Sequence, residues 1–288
     1  MPSSVQELVD LLDLEVIEDN LFRGRQPGTR LQRVFGGQVL AQSLIAAVRT
    51  VSEEFTCHSL HSYFLRPGDT RVPIIYDVEA IRDGRSFATR RVAARQHGRP
   101  IFFLTANFQR FEVGLEHQDP MPEVAAPEDC PGLGEVTPGS GRDTDEWKRE
   151  WAALEVRYAG SSRAGGGIED PTSSANVRLW LRVNGELPDS GLSQMAAFTY
   201  ASDMTLLAAT LVPHGLYIAS PRMQAASLDH AMWFHRPFRA DEWWLYDQIT
   251  PSASGGRGLA LARVFSRDGT LVATVAQEGL IRLHESSQ

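Results

Sequence analysis

The chain has 288 residues, 42% of them hydrophobic and 22% charged, the balance of a folded protein rather than a disordered one. Its 28 basic side chains face 36 acidic ones, and the net charge of −8 argues against a general binder of nucleic acid or membrane surfaces. The length suggests about two domains. Two cysteines, Cys57 and Cys130, exclude a disulfide scaffold and a Cys-rich zinc site.

The N-terminus MPSSVQELVDLLDLEV carries acids and lacks the basic stretch and apolar core of a signal peptide. No apolar run approaches the roughly 20 residues of a membrane span. A cytoplasmic protein without membrane insertion is expected. Ser4-x-x-Glu7 before an apolar periodic run is a capping-box pattern that predicts a helix over 4–12. Residues 14–25 read as a strand. Between Gly37 and Val48 only Gln38, Gln42 and Ser43 are polar, so this helix is expected to be wrapped by other structure. Strands are predicted near 56–66, 72–82, 86–96 and 101–111, with Asp83-Gly84 and His97-Gly98 marking tight turns. Residues 112–150, rich in Pro, Gly and acids, read as a linker, and 161–170 as a Gly-rich loop.

The second half then repeats the first. Phe64-Leu65-Arg66-Pro67 matches Phe234-His235-Arg236-Pro237 at an offset of 170 (236 − 66). Asp83-Gly84-Arg85 matches Gly255-Gly256-Arg257 and Arg91-Val92 matches Arg263-Val264, both at 172 (257 − 85 and 263 − 91). An apolar helix recurs as Asp203–Val212. The pattern predicts an α+β double hotdog: two tandem antiparallel sheets, each wrapped around a central apolar helix. The expected division is 1–111, a linker over 112–150, and 151–288.

Several chemistries are missing. There is no G-x-S-x-G elbow, no phosphate-binding G-x-x-x-x-G-K-[ST] and no G-x-G-x-x-G after a strand. His58/His61 and His230/His235 lack the Cys or carboxylate partners of a zinc site, so no metal is expected. The candidate residues are individually modest. Asp203, read as heading the second buried helix, is either an N-cap or a carboxylate at the positive end of a helix dipole, able to polarise water. Ser227 opens the run ASLDHAMWFHRPF, and its repeat partner is Cys57. Gln277 interrupts an apolar strand and needs either solvent or a buried polar partner. Gly36-Gly37-Gln38 heads the first buried helix, where a carbonyl or anion can approach helix N–H groups. His58 and His61 read as structural hydrogen-bonding positions, and His58 joins Gly36, Gly37 and Gln38 as a candidate substrate-binding residue.

Taken together, VFGGQVLAQSL, HSLHSYFLRPGD, RDGRSFATRRV, TYASDM, PHG, ASLDHAMWFHRPFRADEW and VATVAQEGLIR resemble the type II (TesB-like) acyl-CoA thioesterases, in family order from about residue 34 to 282. The resemblance implies a tandem hotdog enzyme that hydrolyses fatty acyl-CoA to free fatty acid and CoA. It places the catalytic trio on Asp203, Ser227 and Gln277, with Asp203 as the base for a water and helix N–H groups as the oxyanion donors. No cofactor is implied beyond the CoA of the substrate. Two other classes compete. A hotdog enoyl-CoA hydratase pairs an Asp with a His five residues on, where this chain has Ala208. A non-catalytic acyl-CoA binding protein would not need the trio. The repeat further predicts an internal pseudo-dimer with one site per chain, joined by aromatics such as Trp243 and Trp244 into a homodimer or larger homo-oligomer.

Overall fold

The computed structural model describes residues 1–136, 148–163, 165–168 and 175–284. Part of the predicted linker (137–147) and part of the Gly-rich loop (164, 169 and 170) lie outside these residues.

Helix α1 (Val5–Leu12) begins where its pattern predicts. Ser4 Oγ accepts from the Glu7 N–H, and the Glu7 carboxylate reaches back to the Ser3 N–H rather than to Ser4. The expected single strand over 14–25 is a hairpin instead. Strands β1 (Glu15–Glu18) and β2 (Leu21–Gly24) are separated by a turn in which Asn20 takes φ 60°, a conformation its short polar side chain tolerates. Helix α2 (Gly36–Val48) is buried from Gly37 to Ala47. The strands β3 (Phe55–Phe64), β4 (Ile74–Asp83), β5 (Phe87–Gln96) and β6 (Arg99–Arg110) follow, and β5 and β6 are joined by His97 and Gly98, both at positive φ.

The second half contributes β7 (Leu154–Ser161), β8 (Asn176–Val183), α3 (Gly191–Ser202), a short α4 (Leu206–Ala209), β9 (Met223–Ser227), β10 (Asp229–Phe234), β11 (Trp244–Ser254), β12 (Arg257–Ser266) and β13 (Leu271–Leu283). The second central helix thus starts twelve residues earlier than Asp203, at Gly191, and Asp203 caps the C-terminal end of α3. Sequence periodicity does not reveal this, because an aspartate followed by the apolar run Leu206–Ala209 has the form of a helix start. The segment Gly191–His214 is long and apolar enough by composition to cross a membrane, contrary to the expectation that no run is; here it is a core helix, with 78% of its apolar window buried in the fold.

All the strands form one antiparallel sheet in the order β1-β2-β4-β5-β6-β3-β10-β13-β12-β11-β8-β7, with β9 pairing on β13. The halves join at β3 and β10, and the register there is informative. His61 lies opposite Ala231, Leu60 opposite Met232 and Ser62 opposite His230. At the repeat offset of 170, Ala231 is the counterpart of His61 itself. A residue paired with its own repeat image straddles a twofold axis, so the pseudo-dyad passes between His61 and Ala231. Local detail repeats as well. The N–H groups of Leu65 and Arg66 donate to the Ile101 carbonyl, and those of His235 and Arg236 to the Val272 carbonyl. The Arg66 guanidinium holds the Pro100 carbonyl at 2.7 Å and Arg236 holds that of Leu271 at 2.9 Å.

Helix α2 packs on β3–β6 and against α3, and α4 packs on β11–β13. Trp244 is fully buried among Phe198 and Tyr246, and Trp243 lies half-buried under Arg182, so neither is the exposed interface aromatic expected from sequence. Part of the linker folds back: Cys130, Met121 and Val124 cover Trp180, Leu245 and Phe265 in a second, smaller core.

Buried polar groups brace α2. Gln42 Nε2 donates to the Leu11 carbonyl at 2.7 Å, and its Oε1 accepts from the Tyr76 hydroxyl at 2.6 Å, tying α1 and β4 to the central helix. Gln42→Ala leaves both partners buried and unpaired, so stability is expected to fall by about 2–6 kcal/mol, at 1–3 kcal/mol for each stranded group. An unchanged denaturant midpoint would show that this brace carries no stability.

Candidate active site

The structure brings Asp203, Ser227 and Gln277 together from three separate elements. Asp203 stands at the break between α3 and α4. Ser227 is the last residue of β9, rather than the first of a longer strand, and Leu228 bulges between β9 and β10. The first half bulges at the matching place, His58, between the pairs Cys57↔Phe108 and Ser59↔Asn107. Gln277 lies mid-strand in β13 opposite Ala260 and is completely buried. Its Nε2 donates to Asp203 Oδ1 at 2.8 Å and to Ser227 Oγ at 2.7 Å, and the Ser227 hydroxyl lies 3.4 Å from the same carboxylate oxygen.

Asp203 does not head its own helix, so the dipole of α3 offers it a negative end. The positive helix end comes from the other half. The Gly37 N–H of α2 donates to the Asp203 carboxylate, and a Cβ on Gly36 would overlap that carboxylate. A Cβ on Gly37 would overlap the Tyr200 carbonyl of α3. Glycine at both positions is what lets the N-terminus of α2 approach α3 and the carboxylate so closely. These two glycines, expected to receive substrate, therefore hold the carboxylate.

The other two candidates lie apart from this contact. The Gln38 side chain donates to the Arg25 carbonyl and to Gln26 Oε1. His58 is five residues along β3 from Tyr63, the partner of Asp229. At a strand rise of about 3.4 Å per residue that is roughly 17 Å from the β10 end where the trio meets. The structure does not bring His58 to the cluster; its ring lies edge-on to Phe87.

A supporting set was not legible in the sequence. His230 is fully buried, with Nε2 3.0 Å from Ser202 Oγ and Nδ1 4.0 Å from Asp203 Oδ1. Ser202 gives its one proton to the Thr199 carbonyl at 2.9 Å. The ring meets Ser202 through Nε2 and faces Asp203 and the Gln277 side chain through its other edge. The Tyr246 hydroxyl donates to the Ser202 carbonyl at 3.0 Å, fixing the end of α3. Burial pushes the His230 imidazole down to about 3, so it is neutral at physiological pH and forms no ion pair with Asp203. No motif distinguishes a buried histidine beside a carboxylate from one packed in the core.

Burial also dominates Asp203. Removal from water pushes its carboxyl up to about 6, against the opposing effect of the hydrogen bonds from Gln277, Gly37 and Ser227. A carboxylate poised there is a far better proton acceptor near neutrality than an exposed aspartate.

Two family models match the chain, the acyl-CoA thioesterase model over residues 156–280 and the acyl-CoA thioesterase N-terminal domain model over residues 25–109. The chain is 41% identical to acyl-CoA thioesterase 2 of Haemophilus influenzae, over 99% of this chain and 100% of that one. It is 39% identical to acyl-coenzyme A thioesterase 8 of Mus musculus, over 96% of this chain and 89% of that one. The crystal structure of acyl-CoA thioesterase II TesB2 from Mycobacterium marinum shares the fold at a TM-score of 0.83 and 44% identity, covering 96% of this chain and 98% of the other. The chain belongs to the acyl-CoA thioesterases. In this thioesterase the matched N-terminal segment supplies the glycine contact of α2, and the matched C-terminal segment supplies Asp203, Ser227 and Gln277.

A carboxylate whose pKa is raised in the fold carries a stability cost with a definite sign. Between the ordinary 3.8 and about 6 the folded state holds a proton that the unfolded state has released, so stability falls as pH rises through that window and stays lowered above it. Asp203→Asn keeps the shape and an acceptor for Gln277 and Gly37 without the charge. The variant is expected to be more stable than the parent at pH 8 by about 1–3 kcal/mol, with the gain vanishing near pH 4. Denaturant midpoints of the two proteins that stay a constant distance apart from pH 4 to pH 8 would refute the buried charge.

Proposed function

We propose that this thioesterase hydrolyses fatty acyl-CoA to free fatty acid and CoA by attack of a water held among Asp203, Ser227 and Gln277, with no cofactor and no covalent acyl-enzyme. The observation that supports the reading is the convergence of these three side chains on one buried carboxylate with a raised pKa. Gln277 Oε1 is a buried acceptor beside this carboxylate. A water at this place donates one proton toward Asp203 and the other to such an acceptor, which leaves its lone pair for the thioester carbon. Asp203 takes the proton as the C–O bond forms. Collapse of the tetrahedral species breaks the C–S bond, and the departing CoA sulfur recovers the proton from Asp203. Ser227 and Gln277 hold the water on line, and such orientation supplies several kcal/mol of a barrier.

Two N–H groups at the head of α2 are already engaged. That of Gly37 serves Asp203, and that of Gln38 serves the Phe35 carbonyl at 3.1 Å. Helix α2 thus stabilises the base in this reading.

The same reading includes one site per chain, a cytoplasmic setting and homo-oligomeric assembly. Phe111, Val113 and Leu115 alternate along the segment after β6 with exposures of 91%, 82% and 104%, an apolar strip that association would cover. Light scattering at micromolar concentration is expected to give a mass above the 31.9 kDa of one chain.

Free-thiol release from a panel of acyl-CoAs tests the chemistry. Asp203→Asn is expected to lower turnover by roughly 100-fold or more, the scale of a lost general base. In the parent, kcat/KM is expected to rise with pH through about 6 and then level, and a profile flat down to pH 4.5 removes Asp203 as the base. Gln277→Ala is expected to lower kcat more than it raises KM, and a change in KM alone reassigns it to binding.

A further inference from the structure

A cavity of about 240 Å³ lies in the second half, beside the carboxylate and separate from the trio. Two contacts tie it to the site. Met204 and Thr205, which follow Asp203 directly, line one end. Trp151 lines the opposite wall and meets Phe35 edge-on at 4.9 Å; Phe35 precedes the Gly36-Gly37 contact with Asp203. From Met204 the cavity follows the chain past Ala208 to Val212. Eight residues of helical or 3₁₀ rise span roughly 12–16 Å.

The far end is different in kind. Gly215, at φ 64°, turns the chain after Val212, and Leu216 N–H donates back to the Leu211 carbonyl, which sets Tyr217 across the line of the helix. The Arg163 guanidinium lies 4.1 Å over the Tyr217 ring and donates to the Leu216 carbonyl. Beside it the Tyr158 hydroxyl donates to Ser161 Oγ at 2.6 Å. The cavity is therefore mainly apolar along the segment that follows Asp203, and at its Val212 end its lining includes an aromatic ring clamped by a cation.

We infer that this cavity takes the alkyl chain of the acyl group and that Tyr217, held by Arg163, sets its maximum length. The inference rests on the thioesterase reading for the identity of the acyl group. Each methylene buried along the channel strengthens binding roughly fourfold, and the increment ends where the chain meets the ring. Arg163 acts through Tyr217 and is a positioning residue.

The test compares acyl-CoAs from four to sixteen carbons by thiol release, together with dodecanoate titrated against intrinsic fluorescence, a readout that needs no turnover. Ala208→Phe, which fills the channel midway, is expected to lower the ratio of kcat/KM for the twelve-carbon to the four-carbon substrate by at least tenfold and to weaken dodecanoate binding by a similar factor. Tyr217→Ala is expected to raise the sixteen-to-eight-carbon ratio at least tenfold. Arg163→Met is expected to move it the same way by less. Trp151→Phe is expected to remove most of the dodecanoate signal. Circular dichroism and thermal melting check each fold, and Ala208→Leu replaces the larger substitution if that one does not fold. A parent that binds dodecanoate in this channel but releases no thiol overturns the proposed function and keeps the cavity assignment. A parent that turns over, with chain-length ratios and dodecanoate affinity unmoved in the folded variants, overturns the cavity assignment alone.

Discussion

The contact between the Asp203 carboxylate and the first turn of α2 is the constraint on which the rest of the site depends. A buried carboxylate is costly unless dipoles surround it. Here three donors do so, and one of them, the Gly37 N–H, belongs to the opposite half of the chain. The other two donors, Ser227 and Gln277, come from β9 and β13, which pair with each other in the sheet. The halves therefore cannot drift apart without stripping the carboxylate of a helix N-terminus. The continuous β3–β10 ladder and the packing of α2 on α3 hold that geometry rigidly.

The position of Asp203 at a helix break is equally consequential. At the C-terminal end of α3 its charge is opposed by one dipole and favoured by another, while burial raises its pKa. The outcome near 6 leaves the group ionised at neutral pH yet basic enough to accept a proton. A true N-cap on its own helix would sit lower and be a weaker base. The neutral His230 adds no charge to this balance, because burial keeps its imidazole unprotonated.

Much of this was legible in the amino-acid sequence, for reasons that differ by element. Helix α2 announces itself because nearly every position is apolar, and the repeat is visible because Arg66 and Arg236 each hold an equivalent carbonyl at the start of the strand paired with the one they follow, Pro100 in β6 and Leu271 in β13. The trio's identity came from resemblance, since a serine at a strand end or a glutamine in a strand is uninformative alone. What sequence could not carry was the direction of the second helix past Asp203. Tyr200, Ala201 and Ser202 read as well before the break as Leu206 and Leu207 do after it, and an aspartate before an apolar run is the ordinary sign of a helix start. The role of Gly36 and Gly37 was half visible. An anion does approach those N–H groups, but it is the protein's own carboxylate. His58 stands apart from the trio, and only the register shows how far along β3 it lies.

Asymmetry between the halves follows from the same contacts. The counterpart of Ser227 is Cys57, whose thiol is buried, directed at the Ser59 carbonyl and pushed up to about 12 by desolvation, so it is inert as a proton donor or nucleophile. The counterpart of Gln277 falls at Ala106 or Asn107. Ala106 is core, and the Asn107 side chain accepts from the Thr89 hydroxyl. The first half has kept the bulge, the ladder and the helix of the repeat but none of its polar trio. What it retains is a glycine-headed helix whose N-terminus fits one carboxylate across the dyad. Gly36 and Gly37 thus serve a carboxylate in the other half, where one helix end and one carboxylate meet across the dyad and close packing leaves no room for a side chain at either glycine.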